Sequence, residues 1–173
     1  MQAAEAMPAT QKSESEGQPA ESRQLLTFTL GNELYAIDIM QVREVKGWSE
    51  TTRLPNSPEF LRGVLNLRGA IVPIYDLRMR LSGELTQPEE THVIIILNLK
   101  QRIIGILVDA VCDILTVTPE ALKAPPNLDD GAADEAAANH QFVKSLIANG
   151  ERMVVLLDLT SLSENTPDLE NEQ

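Results

Sequence analysis

Cysteine and long apolar runs are both scarce in this 173-residue chain. Its single cysteine, Cys112, excludes an internal disulfide framework. Because Cys112 lies in an apolar strand-like stretch without a basic neighbour, we expect a buried and unreactive thiol. No segment approaches the roughly 18 apolar residues that a membrane helix needs, and residues 1–22 lack the apolar centre of a signal peptide. The sequence therefore predicts a cytoplasmic protein without direct membrane insertion.

The motifs of common enzyme and metal-binding classes are absent as well. The chain has no Gly-rich phosphate loop, no Gly-x-Gly-x-x-Gly, no His-Glu-x-x-His and no paired-cysteine spacing. With two histidines, His92 and His140, a nucleophilic triad has no obvious base. A small Asp-dependent hydrolase stays open as an alternative, because four aspartates follow apolar strands: Asp38, Asp76, Asp109 and Asp158. Their recurrence fits caps and turn closures better, so we expect no catalytic residue, no metal and no cofactor.

Basic residues are few relative to acidic ones, 14 against 26, which gives a net charge of -12. Most of the excess lies in residues 1–22, 125–140 and 160–173, whereas residues 23–124 carry twelve acids against eleven bases. We predict disordered acidic tails at residues 1–22 and 163–173 and a mobile loop at residues 125–140. The acidic tails would repel phosphate backbones, so we expect no nucleic-acid partner.

The chain does contain a series of apolar segments with the length and composition of β-strands. They form four predicted hairpins, at residues 25–37, 64–75, 92–108 and 142–157, with turns at Gly31-Asn32, Arg68-Gly69, Lys100 to Arg102 and Asn149-Gly150. The third hairpin is so continuously apolar that we expect both its faces to be covered. Capping residues predict a short helix that begins at Pro58, a short helical piece at residues 77–81 and a helix start at Thr118-Pro119-Glu120. Residues 39–45 should form either a two-turn helix or an irregular segment.

The sequence from Phe60 to Leu77 recurs without a gap from Phe142 to Leu159, 82 residues later. A second echo links residues 34–45 with residues 103–114, 69 residues later. The chain therefore looks duplicated, and the two small β units should share a core because neither alone would bury enough surface. At the turn the copies differ, since Asn66 to Gly69 corresponds to Ala148 to Glu151. Arg68 therefore looks specified for more than turn geometry.

Several motifs give the chain a strong resemblance to a known family: Gly63-Val64-Leu65-Asn66-Leu67-Arg68-Gly69, Ile71-Val72-Pro73-Ile74, Asp76-Leu77-Arg78 and Gly105 to Val111. Over residues 24–162 the chain closely resembles the bacterial chemotaxis coupling protein (CheW) family. The resemblance implies a mainly β fold of two intertwined five-stranded β-barrels on a shared hydrophobic core, with short helices, in a domain spanning residues 23–162. It implies a non-catalytic adaptor that joins chemoreceptor tips to the regulatory domain of a chemotaxis histidine kinase in receptor arrays. A related module of a surface-motility or second-messenger system is the alternative.

The resemblance also implies a receptor-binding groove between the two barrels. Glu44 and Arg68 would form one wall, and Val111, Asp113 and Ile114 the opposite wall. We expect Glu44 and Arg68 to pair, which would orient both side chains but add little stability if they are exposed.

The kinase-binding residues implied by the resemblance lie in two other regions. Leu26, Ile39 and Val42 would form an apolar contact at one end of the molecule. Plain core packing is the alternative for Leu26 and Ile39. Lys123 and Leu128 would serve the other end, where the Pro-Pro and Asp/Ala-rich loop departs from the family pattern.

Overall fold

The structure is a computed structural model that describes residues 21–126 and 141–164. Its strands are β1 (Arg23–Leu30), β2 (Glu33–Asp38), β3 (Val42–Gly47), β4 (Leu61–Leu67), β5 (Ala70–Asp76), β6 (Val93–Leu99), β7 (Arg102–Val108), β8 (Ala110–Val117), β9 (Leu122–Lys123), β10 (Val143–Asn149) and β11 (Arg152–Leu157). The α-helices are α1 (Leu77–Ser82) and α2 (Thr160–Glu164), and two 3-10 turns span Ile39–Gln41 and Pro119–Ala121. No helix in the described ranges has the length and apolar character needed to span a membrane.

The strands form two sheets that exchange elements between the sequence repeats. The first sheet has the order β8-β1-β2-β11-β10-β9 and the second has the order β3-β6-β7-β5-β4. Strand β5 runs parallel to β7, with Ile74 opposite Gly105, and β11 runs parallel to β2, with Leu156 opposite Ala36. These two pairings occupy equivalent positions in the repeats, so each hairpin joins the sheet begun by the other copy. The predicted mainly β, duplicated and intertwined fold is confirmed.

The two long hairpins of the repeats share fine details of geometry. Both have a register shift near the start, between Leu61 and Gly63 in one and between Val143 and Ser145 in the other. Both are closed at the base by one backbone hydrogen bond from an aspartate to a phenylalanine carbonyl. The Asp76 amide donates to the Phe60 oxygen at 2.7 Å, and the Asp158 amide donates to the Phe142 oxygen at 2.8 Å.

Three apolar clusters hold the sheets together, one within each sheet and one between them. The first sheet encloses Leu25, Leu34, Ala36, Val117, Ile147, Val154 and Leu156, and the second encloses Val72, Ile74, Ile94, Ile96 and Leu107. The shared cluster takes side chains from both repeats, including Phe28, Leu77, Ile95, Leu97 and Phe142. Strand β6 sends alternate residues into two clusters, so both its faces are covered, as predicted.

The helix or irregular segment predicted at residues 39–45 and the helix predicted to begin at Pro58 are replaced by other structure. After Asp38, whose carboxylate accepts a hydrogen bond from the Met40 amide at 2.9 Å, the chain makes one 3-10 turn and then enters β3. Pairing with β6 requires an extended chain here, and β-branched Val42 and Val45 suit a strand. At residues 57–60 the chain forms turns, because the Ser57 hydroxyl donates backward to the Leu54 carbonyl instead of capping a helix.

Three smaller predictions also need correction. Residues 119–121 form a single 3-10 turn, without an α-helix. Asn149 pairs with Arg152, so the last hairpin turns at Gly150 and Glu151 and not at Asn149-Gly150. The predicted buried Cys112 is exposed, because it lies on β8 at the end of the first sheet.

The predicted end of the domain lies within the last helix of the fold. The expected boundary at residue 162 falls inside α2, whose Ser163 is buried. Most of the predicted tails and of the predicted 125–140 loop lie outside the described residues.

Candidate partner-binding surfaces

The tip of the β4–β5 hairpin is a two-residue turn formed by Arg68 and Gly69. Their φ angles are 52° and 90°, as in the turns that match the twist of paired strands. The Gly69 amide donates to the Asn66 side-chain oxygen at 2.9 Å, which fixes the turn locally. Arg68 projects from this tip with 78% of its side chain exposed.

Arg68 forms an ion pair with Glu44 of β3, with 3.1 Å between Nη1 and Oε2. Strands β3 and β4 are the two ends of the second sheet, so a contact between Glu44 and the β4–β5 turn requires that sheet to curl round on itself. The predicted pairing of Glu44 and Arg68 is confirmed. Because the arginine is largely exposed, the pair adds only about 0–1 kcal/mol to stability, and its main effect is to orient the guanidinium.

The predicted opposite wall lies on β8, the end strand of the first sheet. Asp113 and Ile114 are exposed there, whereas Val111 is half-buried against the shared core. The backbone of Asp113 is held on both sides by the Thr27 hydroxyl, which donates to its carbonyl at 2.9 Å and accepts from its amide at 3.0 Å. A rigid backbone under exposed side chains suits a contact surface.

The sequence repeat makes β3, an end strand of the second sheet, equivalent to β8, an end strand of the first sheet. Glu44 and Val45 of β3 lie 69 residues before Asp113 and Ile114 of β8. In both pairs the aliphatic residue is exposed, 46% for Val45 and 54% for Ile114. An acidic residue followed by an exposed aliphatic residue therefore occurs on both β3 and β8. Val45 is a surface residue that the sequence reasoning missed. Its alignment with Ile114 was the available signal.

The predicted kinase-binding residues differ in accessibility. Leu26 is buried in the shared core with 7% exposure, so its side chain offers almost no surface to a partner. Ile39 and Val42 are half-buried, and Met40 between them is 87% exposed. The sequence reasoning missed Met40 because a single exposed residue in a 3-10 turn follows no period.

The residues predicted for the other end of the molecule are only partly described. Lys123 is exposed on β9, which is the last strand of the first sheet. Leu128 lies outside the described residues.

The buried carboxylate of Asp76 argues against the hydrolase alternative. Its side chain has no exposed surface. One oxygen accepts from the Met79 amide at 3.1 Å and the Thr86 hydroxyl at 2.7 Å, and the other accepts from the Thr86 amide at 2.8 Å. Arg62 lies 3.6 Å away and donates to the Thr86 carbonyl. Asp76 is therefore a structural cap that no substrate can reach.

Asp158 and Asp109, two of the other strand-end aspartates, also have structural partners. Asp158 accepts from the Thr160 hydroxyl at 2.6 Å and from its amide at 3.0 Å. The Thr160 hydroxyl bond lowers the pKa of Asp158, with smaller contributions from the Thr160 amide and from the charges of Lys144 and Lys100. Asp109 binds Arg78 and accepts from the Gly31 amide at 2.7 Å.

No metal-binding group is evident in the described part of the chain. Three or more His, Cys, Asp or Glu side chains do not come together there in a way that would hold an ion.

Comparisons with known proteins identify relatives over the region that holds both repeats. The family model described as CheW-like domain matches residues 24–166. Chemotaxis protein CheW of Klebsiella aerogenes is 43% identical over 140 residues, which cover 81% of each chain. Probable chemotaxis protein CheW of Rhizobium etli is 39% identical over 144 residues, covering 83% of this chain and 89% of the relative.

A solved structure is similar as well. The crystal structure of the scaffolding protein TtCheW from Thermoanaerobacter tengcongensis matches with a TM-score of 0.70 and 28% sequence identity. The match covers 81% of this chain and 91% of that one.

Proposed function

The chain belongs to the CheW-like domain family and is a non-catalytic chemotaxis scaffold, and from this premise we propose which partners it joins. It couples the cytoplasmic tips of chemoreceptors to the regulatory domain of a chemotaxis histidine kinase. It works in the cytoplasm, recruited to receptor arrays at the membrane.

The observation that supports the receptor contact most strongly is the Arg68 turn. Arg68 takes a positive φ that L-residues adopt at some cost. The equivalent position in the second repeat is Gly150, for which that conformation is free of strain. Lys100 also has a positive φ, so conformation alone does not single Arg68 out. Lys100 is also exposed and also pairs with a carboxylate, that of Glu164 on α2. What distinguishes Arg68 is the position of its partner, because Glu44 lies on β3 next to the exposed Val45.

The side chains of the Arg68 turn and of strands β3 and β8 suit a helical partner. A receptor tip is a helical hairpin, and helices are commonly held by apolar grooves with a few oriented charges. Arg68 and Glu44 supply the charges on one wall. Val111, Asp113 and Ile114 supply an apolar and acidic surface on the other, where Ile114 is exposed to meet a partner.

The kinase contact is proposed for Ile39 and Val42, with Lys123 and Leu128 at the other end. Support comes from exposed apolar surface next to the first pair, since the Met40 side chain projects fully into solvent. Leu26 is buried in the cluster against which Val42 packs, so it would support this surface without touching the kinase.

Charge reversal at Arg68 tests the receptor contact. We expect Arg68→Glu to weaken binding to a purified receptor signalling fragment at least about tenfold, because buried interface arginines often dominate binding energy. Binding to the isolated kinase regulatory domain and the unfolding midpoint should stay nearly unchanged, since the exposed ion pair contributes little stability. Isothermal titration against each partner measures both affinities.

Lys100→Glu is the matched control. Lys100 also lies in a hairpin turn with positive φ, and its ammonium pairs with Glu164 at 2.8 Å. The control should bind receptor normally. Unchanged receptor affinity for Arg68→Glu, or an equal loss for Lys100→Glu, would contradict the assignment.

A further inference from the structure

The guanidinium of Arg80, in the last turn of α1, contacts two aromatic rings. Its Cζ is 5.1 Å from the centroid of the Phe60 ring and 4.8 Å from the centroid of the Phe142 ring. Both distances are within the range of a cation–π interaction. One cation therefore contacts two rings from opposite halves of the chain.

These two phenylalanines are equivalent residues of the repeats. Each stands at the base of one long hairpin, where its carbonyl accepts the hydrogen bond that closes the hairpin. The hairpin after Phe60 belongs to the second sheet, and the hairpin after Phe142 belongs to the first. The Arg80 contact thus ties the bases of two hairpins that lie in different sheets.

The contact itself is not duplicated. The residue equivalent to Arg80 in the second repeat is Leu162, which is buried in the shared core. A leucine would satisfy an apolar core position, so the arginine is not explained by packing alone.

The aromatic rings are the principal partners of Arg80 in the described part of the chain. Its Nε is buried without a hydrogen-bond partner, and no described carboxylate forms an ion pair with it. The neighbouring Arg78, in contrast, is bound by Asp109. The Arg80 guanidinium is therefore held chiefly by the faces of Phe60 and Phe142, so its position depends on both hairpins at once.

We propose that Arg80 is a positioning residue that fixes the orientation of the two hairpins, and through them the relative placement of the two walls of the receptor surface. One wall includes Arg68 at the tip of the first hairpin, and the other lies on β8 of the sheet that holds the second hairpin. The link to receptor binding rests on the function proposed above, whereas the orienting role does not.

Spin labels on the two hairpins test the orienting role directly. Ile71 of β5 and Met153 of β11 are equivalent, exposed positions, so cysteines there, in a Cys112→Ser background, accept nitroxides without disturbing the core. Pulsed electron spin resonance then gives the distribution of distances between the hairpins. We expect a narrow distribution with Arg80 and a clearly broader one in Arg80→Met, which keeps apolar bulk but removes the cation.

Two further variants separate orientation from general stability. Arg80→Lys retains a cation and should narrow the distribution again in part, and it provides a milder test if the methionine variant folds poorly. Arg53→Met, at an exposed loop arginine, should leave the distribution unchanged. Distributions of equal width in Arg80→Met, Arg80→Lys and the parent would overturn the proposal.

Receptor affinity tests the consequence for the binding surface. We expect Arg80→Met to bind a receptor signalling fragment about three- to tenfold more weakly, the range seen when a residue acts on a site through intervening structure. A broadened distance distribution with unchanged affinity would overturn the link to the receptor surface. Failure of the Arg68 assignment would show instead as unchanged affinity in Arg68→Glu, so the two proposals can fail independently.

Discussion

The two long hairpins of this protein, residues 60–77 and 142–159, have the same path and different chemistry at their ends. At the base, Asp76 is buried under Thr86 and Arg62, whereas Asp158 is exposed and bound by Thr160. At the tip, the first hairpin carries an arginine where the second has a glycine. The repeated part is scaffold, and the parts that differ are where one copy has acquired a role that the other lacks.

The two features that are found only in the first hairpin, the Asp76 cluster and the Arg68 turn, contribute differently to stability. The Asp76 cluster stabilises the fold, because it satisfies a buried charge with several donors. The Arg68 turn contributes little to stability, because its ion pair is exposed. Substitutions at equivalent positions of the two hairpins should therefore change the free energy of unfolding by different amounts.

The largest difference is expected between Asp76→Asn and Asp158→Asn. At residue 76 both oxygens accept hydrogen bonds, so an amide NH2 must face a donor such as the Thr86 amide or hydroxyl. Breaking this buried charged cluster should lower the free energy of unfolding by about 3–5 kcal/mol. At residue 158 the Thr160 amide and hydroxyl both donate to the same oxygen, which an asparagine retains. That variant should lose less than about 1 kcal/mol, and urea unfolding measures both.

Equal losses for the two asparagine variants would contradict this account of the hairpin bases. They would mean that burial of Asp76 is not what distinguishes the copies.

The next effect concerns the residue after the register shift in each hairpin, Gly63 and its equivalent, Ser145. Gly63 has a φ of 133°, and a Cβ there would lie 2.3 Å from the Thr52 carbonyl oxygen. Gly63→Ala should therefore cost about 2–3 kcal/mol through backbone strain and a clash that no side-chain movement relieves. Ser145 already carries a Cβ without a positive φ, so Ser145→Ala should change stability by about 0.5 kcal/mol or less.

Thermal or urea unfolding of the two alanine variants compares these positions. A Gly63→Ala protein as stable as Ser145→Ala would show that the bulge of the first hairpin can move away from Thr52.

The smallest effect is expected in the free energy of unfolding at acidic pH. The Thr160 hydroxyl lowers the pKa of Asp158 below its ordinary value of 3.8. A lowered pKa contributes stability that is present above the unfolded-state value and is lost as the pH falls through the folded-state value. Thr160→Val should raise the pKa of Asp158 and reduce the stability lost on acidification below about pH 4. Carboxyl carbon NMR gives the pKa directly.

The control for this titration combines both changes. In an Asp158→Asn background, Thr160→Val should leave the pH dependence of unfolding unaltered. If Thr160→Val still changed the pH dependence of unfolding in this background, the change would have to come from a titratable group other than Asp158.

Much of the fold was predictable from short stretches of sequence. The hairpins, the turn at Arg68-Gly69 and the cap at Asp76 follow from alternation, glycine placement and capping chemistry, which act within a few residues. Local signals failed at residues 39–45, because the spacing of Ile39, Val42 and Val45 favours a helix or an irregular segment, whereas pairing with β6 makes residues 42–47 a strand. They failed at Ser57-Pro58 for a similar reason, since a cap residue formed a turn instead.

The candidate site was predictable only in part. Glu44 and Arg68 were identified through family resemblance, and their pairing is confirmed. Met40 was missed because a single exposed residue in a 3-10 turn follows no period. Val45 was missed, and the choice between surface and core stayed open for Leu26, because burial on an individual strand depends on which neighbour covers it. The buried Asp76 cluster and the Arg80 contact also join segments that no periodic pattern connects.

By itself, the sequence determined the four hairpins and the duplication, because these depend on neighbouring residues and on self-similarity that can be read along the chain. Only the tertiary structure decided that each hairpin completes the sheet of the other repeat, that the ends of the second sheet meet through Glu44 and Arg68, and that Arg80 contacts both Phe60 and Phe142. Such contacts are chosen by the burial of apolar faces and the pairing of charges across long sequence separations. The free energy of those choices belongs to the assembled fold and not to any segment of it.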